Sequence, residues 1–347
     1  MGGHMFFIHI RVILFLFILS ILTLSCTYKP NNQTHPPPFS IVTFDHLFGV
    51  AAPDDNNIWI VGLNATILHS KDGGKSWIRQ KSPLTADLYD VWFADNRNGW
   101  VVGKYGTILR TGDGGATWIT ARAETDQRLF DVCFADVQSG WSVGSWGTIV
   151  HTSNGGETWT KQGPGEDIIY NGVWFVDTRQ GWIVGEYGTI LHTQNGGKTW
   201  MRQECKDIIP VLREDEWETP TPSLYGVYFK DPLQGWAVGL DGIIIHTQDG
   251  GKKWKQLDSP AEFALYKIMV IGNNGWAVGL RGGYVFSTDD GRTWTMDDQS
   301  IRTRFWLRDL CFCDKAHGCL VGSSGTIALT QNGGETWQMV SGISFGQ

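Results

Sequence analysis

The stretch HTQNGGKTW at 192–200 decides the fold, because the chain repeats it. It returns as HSKDGGKSW (69–77), RTGDGGATW (110–118), HTSNGGETW (151–159), HTQDGGKKW (246–254), STDDGRTW (287–294) and LTQNGGETW (329–337). The closing tryptophans are Trp77, Trp118, Trp159, Trp200, Trp254, Trp294 and Trp337, spaced by 41, 41, 41, 54, 40 and 43 residues. A second motif keeps step with them: IWIVG (58–62), GWVVG (99–103), GWSVG (140–144), GWIVG (181–185), GWAVG (235–239), GWAVG (275–279) and GCLVG (318–322). Repeats of this length with four strand signals each are the mark of propeller blades.

The second repeat shows the signals plainly. LYDVWF (88–93), GWVVG (99–103), GTILRT (106–111) and WITARA (118–123) are short, β-branched or aromatic runs bounded by Gly, Asn or Asp. One such sheet cannot bury both faces alone, but seven stacked radially can. We expect an all-β, seven-bladed propeller with four antiparallel strands per blade. The propeller domain should span 41–347, with blades near 44–82, 83–123, 124–165, 166–205, 220–258, 259–298 and 301–343. Ring closure is open at this level, since FSIVTF (39–44) could extend the last blade beside WQMVSGISF (337–345).

The box occupies the turn between the third and fourth strands. Its Ser or Thr and its Asp or Asn can both bond backbone amides within the turn. The third-position acid becomes asparagine at Asn154, Asn195 and Asn332. Asn keeps an acceptor oxygen but no charge, so a general acid, nucleophile or calcium ligand would not survive that exchange. The box therefore reads as structural, and its tryptophans as wedges between strands or blades. His69, His151, His192 and His246 precede boxes at one strand position each, too far apart on a ring to share a metal. Packing or hydrogen bonding explains them better.

The 347 residues carry 44 Gly, 18 Trp and a formal charge of −7, and the lack of a basic stripe argues against nucleic acid as a partner. Residues 1–25 read as a signal peptide, with Arg11 before VILFLFILSIL (12–22), too short to span a bilayer as a helix. LTLSC resembles a lipobox with Cys26 as the lipidated residue; an ordinary signal peptide or an uncleaved anchor are the alternatives. Residues 26–40 would then hold the lipid site and a flexible tether. Thr27 in place of an Asp slightly favours the outer membrane, facing the periplasm. The remaining cysteines, Cys133, Cys205, Cys311, Cys313 and Cys319, match no zinc spacing. Cys313 and Cys319 flank the turn DKAHG and could bridge, or could be separate buried thiols. No cofactor, metal or catalytic set is expected.

Seven boxes paired with GWxVG and GTILHT over about 44–340 resemble the photosystem II stability and assembly factor family. The resemblance implies a non-enzymatic seven-bladed helper that holds a membrane-protein intermediate during assembly, and a lipobox-like leader. The box also occurs in sialidases and other glycoside hydrolases, which need an arginine cluster for the sialic carboxylate, often introduced by an Arg-Ile-Pro segment, or a catalytic carboxylate pair. No Arg-Ile-Pro is present; Asp90, Asp131 and Asp309 share one inner-strand position, where other blades have Gly49, Gly172, Gly226 and Lys267.

A partner is expected on the face opposite the boxes. The tips between second and third strands carry Asn64, Tyr105, Trp146, Tyr187, Asp241, Arg281 and Ser324, so three neighbouring blades present aromatics. The insertion ECKDIIPVLREDEWETPTP (204–222) lies beside them, with six acidic and two basic residues and Trp217. Tyr105, Trp146, Tyr187, Trp217, Asp241 and Arg281 are the candidate contacts for a protein client in or at a membrane. The same aromatic arc could stack a glycan, and a purely structural envelope protein would need no site.

Overall fold

The computed structural model describes residues 45–163, 165–208, 221–297 and 299–340. Cys26 and its leader, Trp217, most of the insertion, and, of the segments proposed for ring closure, 39–44 and 341–345 lie outside the described residues. Within them the chain is a seven-bladed β-propeller, the four strands of each blade running inner to outer in sequence order. Blade 2 is typical, with strands Leu88–Phe93, Gly99–Gly103, Ile108–Thr111 and Ile119–Thr120. The other inner strands are Leu47–Ala51, Leu129–Phe134, Tyr170–Phe175, Leu224–Phe229, Leu265–Ile271 and Leu307–Phe312.

The GWxVG motif has a steric origin. A Cβ on Gly99 would lie 2.4 Å from the Phe93 ring, and one on Gly103 would lie 2.2 Å from the Asp87 carbonyl oxygen. The motif tryptophan then reaches the next blade: Trp100 stacks on Phe134 at 3.5 Å, and Phe134 meets the box tryptophan Trp159 edge-on at 5.6 Å. Trp100 Nε1 also donates to the Gly155 carbonyl in the next blade's box at 2.9 Å. Such stacks, repeated round the ring, form the inter-blade core.

Two local readings change. WITARA is not one strand: Ile119–Thr120 ends blade 2, and Arg122–Ala123 pairs in parallel with Thr158–Gln162, giving blade 3 a fifth, edge strand. Cys319 faces Cys311 across the ladder, not Cys313, and the described cysteines are free thiols. The strand register decides this, because Cys313 lies past the last ladder pair, Phe312 with Gly318.

Blades 7 and 1 meet directly. The Val50 amide donates to Asp309 Oδ2 at 2.8 Å, and the Gly325 amide to the Asp45 carbonyl at 2.6 Å.

Candidate functional site

The boxes behave as hydrogen-bonded turns. In blade 2, Asp113 Oδ1 accepts from the Thr117 amide at 2.9 Å and from the Thr111 hydroxyl at 2.8 Å, while Oδ2 accepts from Thr117 Oγ1 at 2.6 Å. In blade 3, Asn154 Oδ1 accepts from the Thr158 amide at 3.1 Å and from Thr152 Oγ1 at 2.8 Å, and Nδ2 donates to Thr158 Oγ1 at 3.0 Å. Only the direction of one bond has reversed, which is why Asn serves. Trp77, Trp118, Trp159, Trp254, Trp294 and Trp337 are buried, and Trp200 is half-buried. The histidines lie over GWxVG tryptophans, with His192 4.7 Å from Trp182 and His246 4.7 Å from Trp236. Burial depresses their pKa values, His69 to about 4 with help from Lys71, so they are neutral at pH 7.

The opposite face is built from tips and inner-strand starts. The Lys104 amide donates to the Asp87 carbonyl at 2.9 Å, and the Gly106 amide to the Gln127 carbonyl at 2.7 Å, so each tip is tied to the connections beside it. All seven tip residues are left-handed: Asn64, Tyr105, Trp146, Tyr187, Asp241, Arg281 and Ser324 have φ between 54° and 60°. The aromatic ones stand out in solvent, Tyr105 70%, Trp146 59% and Tyr187 49% exposed. They lie on three consecutive blades, and no ring contact joins them among the described residues. Lys104 Nζ sits 5.0 Å from the Tyr105 ring centroid. The returning end of the insertion reaches the blade 4 tip, where a Cβ on Gly188 would meet Thr221 Cγ2 at 2.5 Å.

A second group on this face was missed by sequence reading. Every inner strand slips register by one residue near its start, as between Leu88 and Asp90. The extra residues are Phe48, Tyr89, Phe130, Asn171, Tyr225, Tyr266 and Arg308, and all of them line the axial mouth. Tyr89 is 5.6 Å from both Phe48 and Phe130, Tyr225 is 5.4 Å from Tyr266, and Arg308 lies 5.1 Å over Tyr266. Burial raises the phenol pKa of Tyr225 to about 12, so its hydroxyl stays protonated. The available signal was the residue after the buried Leu or Tyr opening each inner strand, which is aromatic in five of seven blades.

Just below the aromatics lies a charged layer. Lys267 Nζ is 3.5 Å from both Asp131 and Asp309. Each aspartate also accepts the next blade's inner amide: Asp90 from Val132 at 2.9 Å, Asp131 from Val173 at 2.7 Å, Asp309 from Val50. Burial, then the Asp131 charge, pushes the Asp90 carboxyl well above its ordinary value against the pull of Lys267. Burial alone would lower Lys267, but Asp131, Asp309 and Asp90 together hold it above the usual lysine range. Deeper still, Trp92 of blade 2 meets Trp174 of blade 4 at 5.6 Å, and Trp174 meets Tyr228 of blade 5 at 4.7 Å, across the axis. The mouth retains a cavity of about 20 Å³, room for one water and not for a sugar ring. It is a floor.

Comparison with known proteins agrees with this architecture. The chain is similar to the structure titled "YCF48 from Cyanidioschyzon merolae", at 18% identity over 88% of this chain and 99% of that one, with a TM-score of 0.66. It is similar to the structure titled "YCF48 bound to D1 peptide" at 20% identity over 86% of this chain and 96% of that one, with a TM-score of 0.67. An ancestral GH74 enzyme matches the fold at 13% identity over 91% of this chain and 48% of its own, with a TM-score of 0.66. A curated relative, the photosystem II assembly protein Ycf48 of Synechococcus sp. (strain JA-2-3B'a(2-13)), is 38% identical over 58 residues, 16% of this chain and 17% of its own length. The family model described as photosynthesis system II assembly factor YCF48 matches residues 38–112, 79–127, 114–213 and 209–302. With that model covering well over half of its length, the chain belongs to the YCF48 family of photosystem II assembly factors.

Proposed function

We propose that this protein is a non-enzymatic assembly or stability scaffold that holds a segment of a membrane or envelope protein on its tip face. The observation that carries the reading is the aromatic floor at the axial mouth, closed below by packed side chains, with Tyr105, Trp146 and Tyr187 exposed on three consecutive blades of the same face. A closed floor with exposed aromatic anchors suits an extended chain better than a small substrate. Membership of the YCF48 family supports it, as does the relative whose structure is titled as bound to D1 peptide. The carboxylates Asp90, Asp131 and Asp309 are engaged by backbone amides, two of them also by Lys267, which speaks against a free acid and nucleophile pair. We place the protein outside the cytoplasmic membrane, tethered through lipidated Cys26 on the periplasmic side, the outer membrane slightly preferred. Asp241 and Arg281 would contribute polar contacts at the rim, and Trp217 an anchor from the insertion.

A photo-crosslinking residue in the lipidated protein, placed at Tyr187 or Tyr266 or, on the box face, at Lys198, tests the reading in native membranes. Adducts with a membrane protein are expected from the first two positions alone. Equal adducts from Lys198, or glycan as the sole adduct, would refute it. Cys26→Ser should abolish labelling by a fatty-acid probe; labelling that persists would end the lipid-anchor part.

A further inference from the structure

The junction between blades 7 and 1 differs from the other six. At five junctions a second-strand tryptophan stacks on a phenylalanine of the next blade, with centroids 3.5–3.8 Å apart. Between blades 5 and 6, Trp236 remains and packs in one cluster with Val270, which takes the phenylalanine's place. Between blades 7 and 1 both partners are small. Cys319 stands where the tryptophan would be, and Ala52 where the phenylalanine would be. Ile58 takes the position of the glycine that elsewhere makes room for the phenylalanine ring, yet a cavity of about 170 Å³ remains. Ala52, Ile58, Asp54, Cys313, His317 and Cys319 help to line it.

The turn at its edge is also unlike its counterparts. Asp314 is shared by the repeat: like Asp95, Asp136, Asp177 and Asp231, it accepts two backbone amides of its own turn. Cys313 and His317 are peculiar to blade 7, where other blades carry Ala94, Ala135, Val176 or Lys230 and Asn98, Ser139, Gln180 or Gln234. The Cys313 sulfur, an Asp314 carboxylate oxygen and a His317 ring nitrogen lie within 4.8 Å of one another. Asp314 Oδ2 holds His317 Nδ1 at 2.9 Å, orienting the imidazole. Asp54 and Asp55 of blade 1 line the same cavity as Cys313 and His317, so the surroundings favour a cation.

We propose that Cys313, Asp314 and His317 form a binding site for a zinc-class divalent cation at the junction where the ring closes. One thiolate, one imidazole and one carboxylate make a borderline-soft donor set, with a fourth position left to water. On binding, the Cys313 thiol releases its proton to solvent and the sulfur electron pair goes to the metal. Because the three donors share one folded turn at the edge of the junction, bound metal stabilises that turn and the fold that carries it.

The test uses the full chain, purified under reductant and freed of metal, and titrated with Co²⁺ and then Zn²⁺. One equivalent of Co²⁺ should bind with a thiolate-to-cobalt absorption band, Zn²⁺ should displace it, and the thermal midpoint should rise. Cys313→Ala and His317→Asn install residues that other blades carry at the same positions, so both variants should fold. Cys313→Ala should abolish the thiolate band, and each variant should weaken Co²⁺ binding by roughly tenfold or more. Cys319→Ala should leave the band intact. Absence of stoichiometric uptake by the wild-type protein, or a thiolate band surviving in Cys313→Ala, would overturn the proposal.

Discussion

At the scale of single residues, the box shows how an acidic position can be indifferent to charge. Asp113 and Asn154 make matching sets of three contacts, with one hydrogen bond reversed between them. Asp113→Asn should therefore change stability by less than about 1 kcal/mol. Trp118 is 7% exposed, meets Phe93 edge-on and donates to Gln80 Oε1 at 2.8 Å. Trp118→Ala should cost ~3–5 kcal/mol, and denaturant melts of the two variants side by side distinguish the roles. Charge does matter in acid. Hydrogen bonding, chiefly from the Thr293 amide, draws the Asp289 pKa down to about 2. A depressed folded pKa gives stability that is complete above the unfolded value of about 4 and is lost as pH falls through the folded one. Asp289→Asn should consequently make the thermal midpoint fall less steeply than wild type between pH 4 and pH 2. Parallel slopes would show that the carboxylate charge is not used.

At the scale of elements, the tips and inner strands differ in what the sequence reveals. Boxes and GWxVG motifs recur in near-constant register, so seven blades are legible from spacing alone. The aromatic floor is not, because a register slip turns Tyr89 and its six equivalents toward the axis, and periodicity does not announce a bulge. Nor does spacing show that Cys319 and Ala52, 267 positions apart, face the same cavity. The tip aromatics were legible as tips, while their backbone strain was not. Tyr105 and Gly106 have φ of 60° and 66°, the left-handed pair of a type I′ turn, for which Asn-Gly is the favoured sequence. Trp146 occupies the Asn slot of such a turn, with φ of 57° and its ring in solvent. A bulky residue held there at a cost of about 1 kcal/mol points to use elsewhere. Trp146→Asn should thus keep or raise the melting temperature while weakening capture of the proposed client. A variant that captures that client as well as wild type would remove Trp146 from the proposed binding face.

At the scale of the whole molecule, stability is distributed over the junctions and tied at the axis. Stacks of one blade's tryptophan on the next blade's phenylalanine hold neighbours, whereas Lys267 connects blade 6 to blades 3 and 7 through Asp131 and Asp309. The three aspartates in turn hold amides of blades 1, 3 and 4. Removing the cation leaves Asp90, Asp131 and Asp309 facing one another at the mouth, Asp90 and Asp309 buried and Asp131 half-buried. Lys267→Met should cost on the order of 3 kcal/mol at pH 7, as expected when one partner of a buried charge cluster is deleted. The pH dependence has a definite sign. Asp90 and Asp309 already have raised pKa values, from burial first. A carboxyl with a raised folded pKa contributes stability below its unfolded value, and that stability is lost as pH rises through the folded one. Loss of Lys267 raises both further, so the deficit of the variant should shrink as pH falls from 7 toward about 4. Adding Asp309→Asn should restore part of the loss at pH 7, since Asn still offers an acceptor to the Val50 amide. Denaturant melts across that pH range decide the matter: a Lys267→Met protein as stable as wild type at pH 7 would mean that the axial charges do not hold the ring.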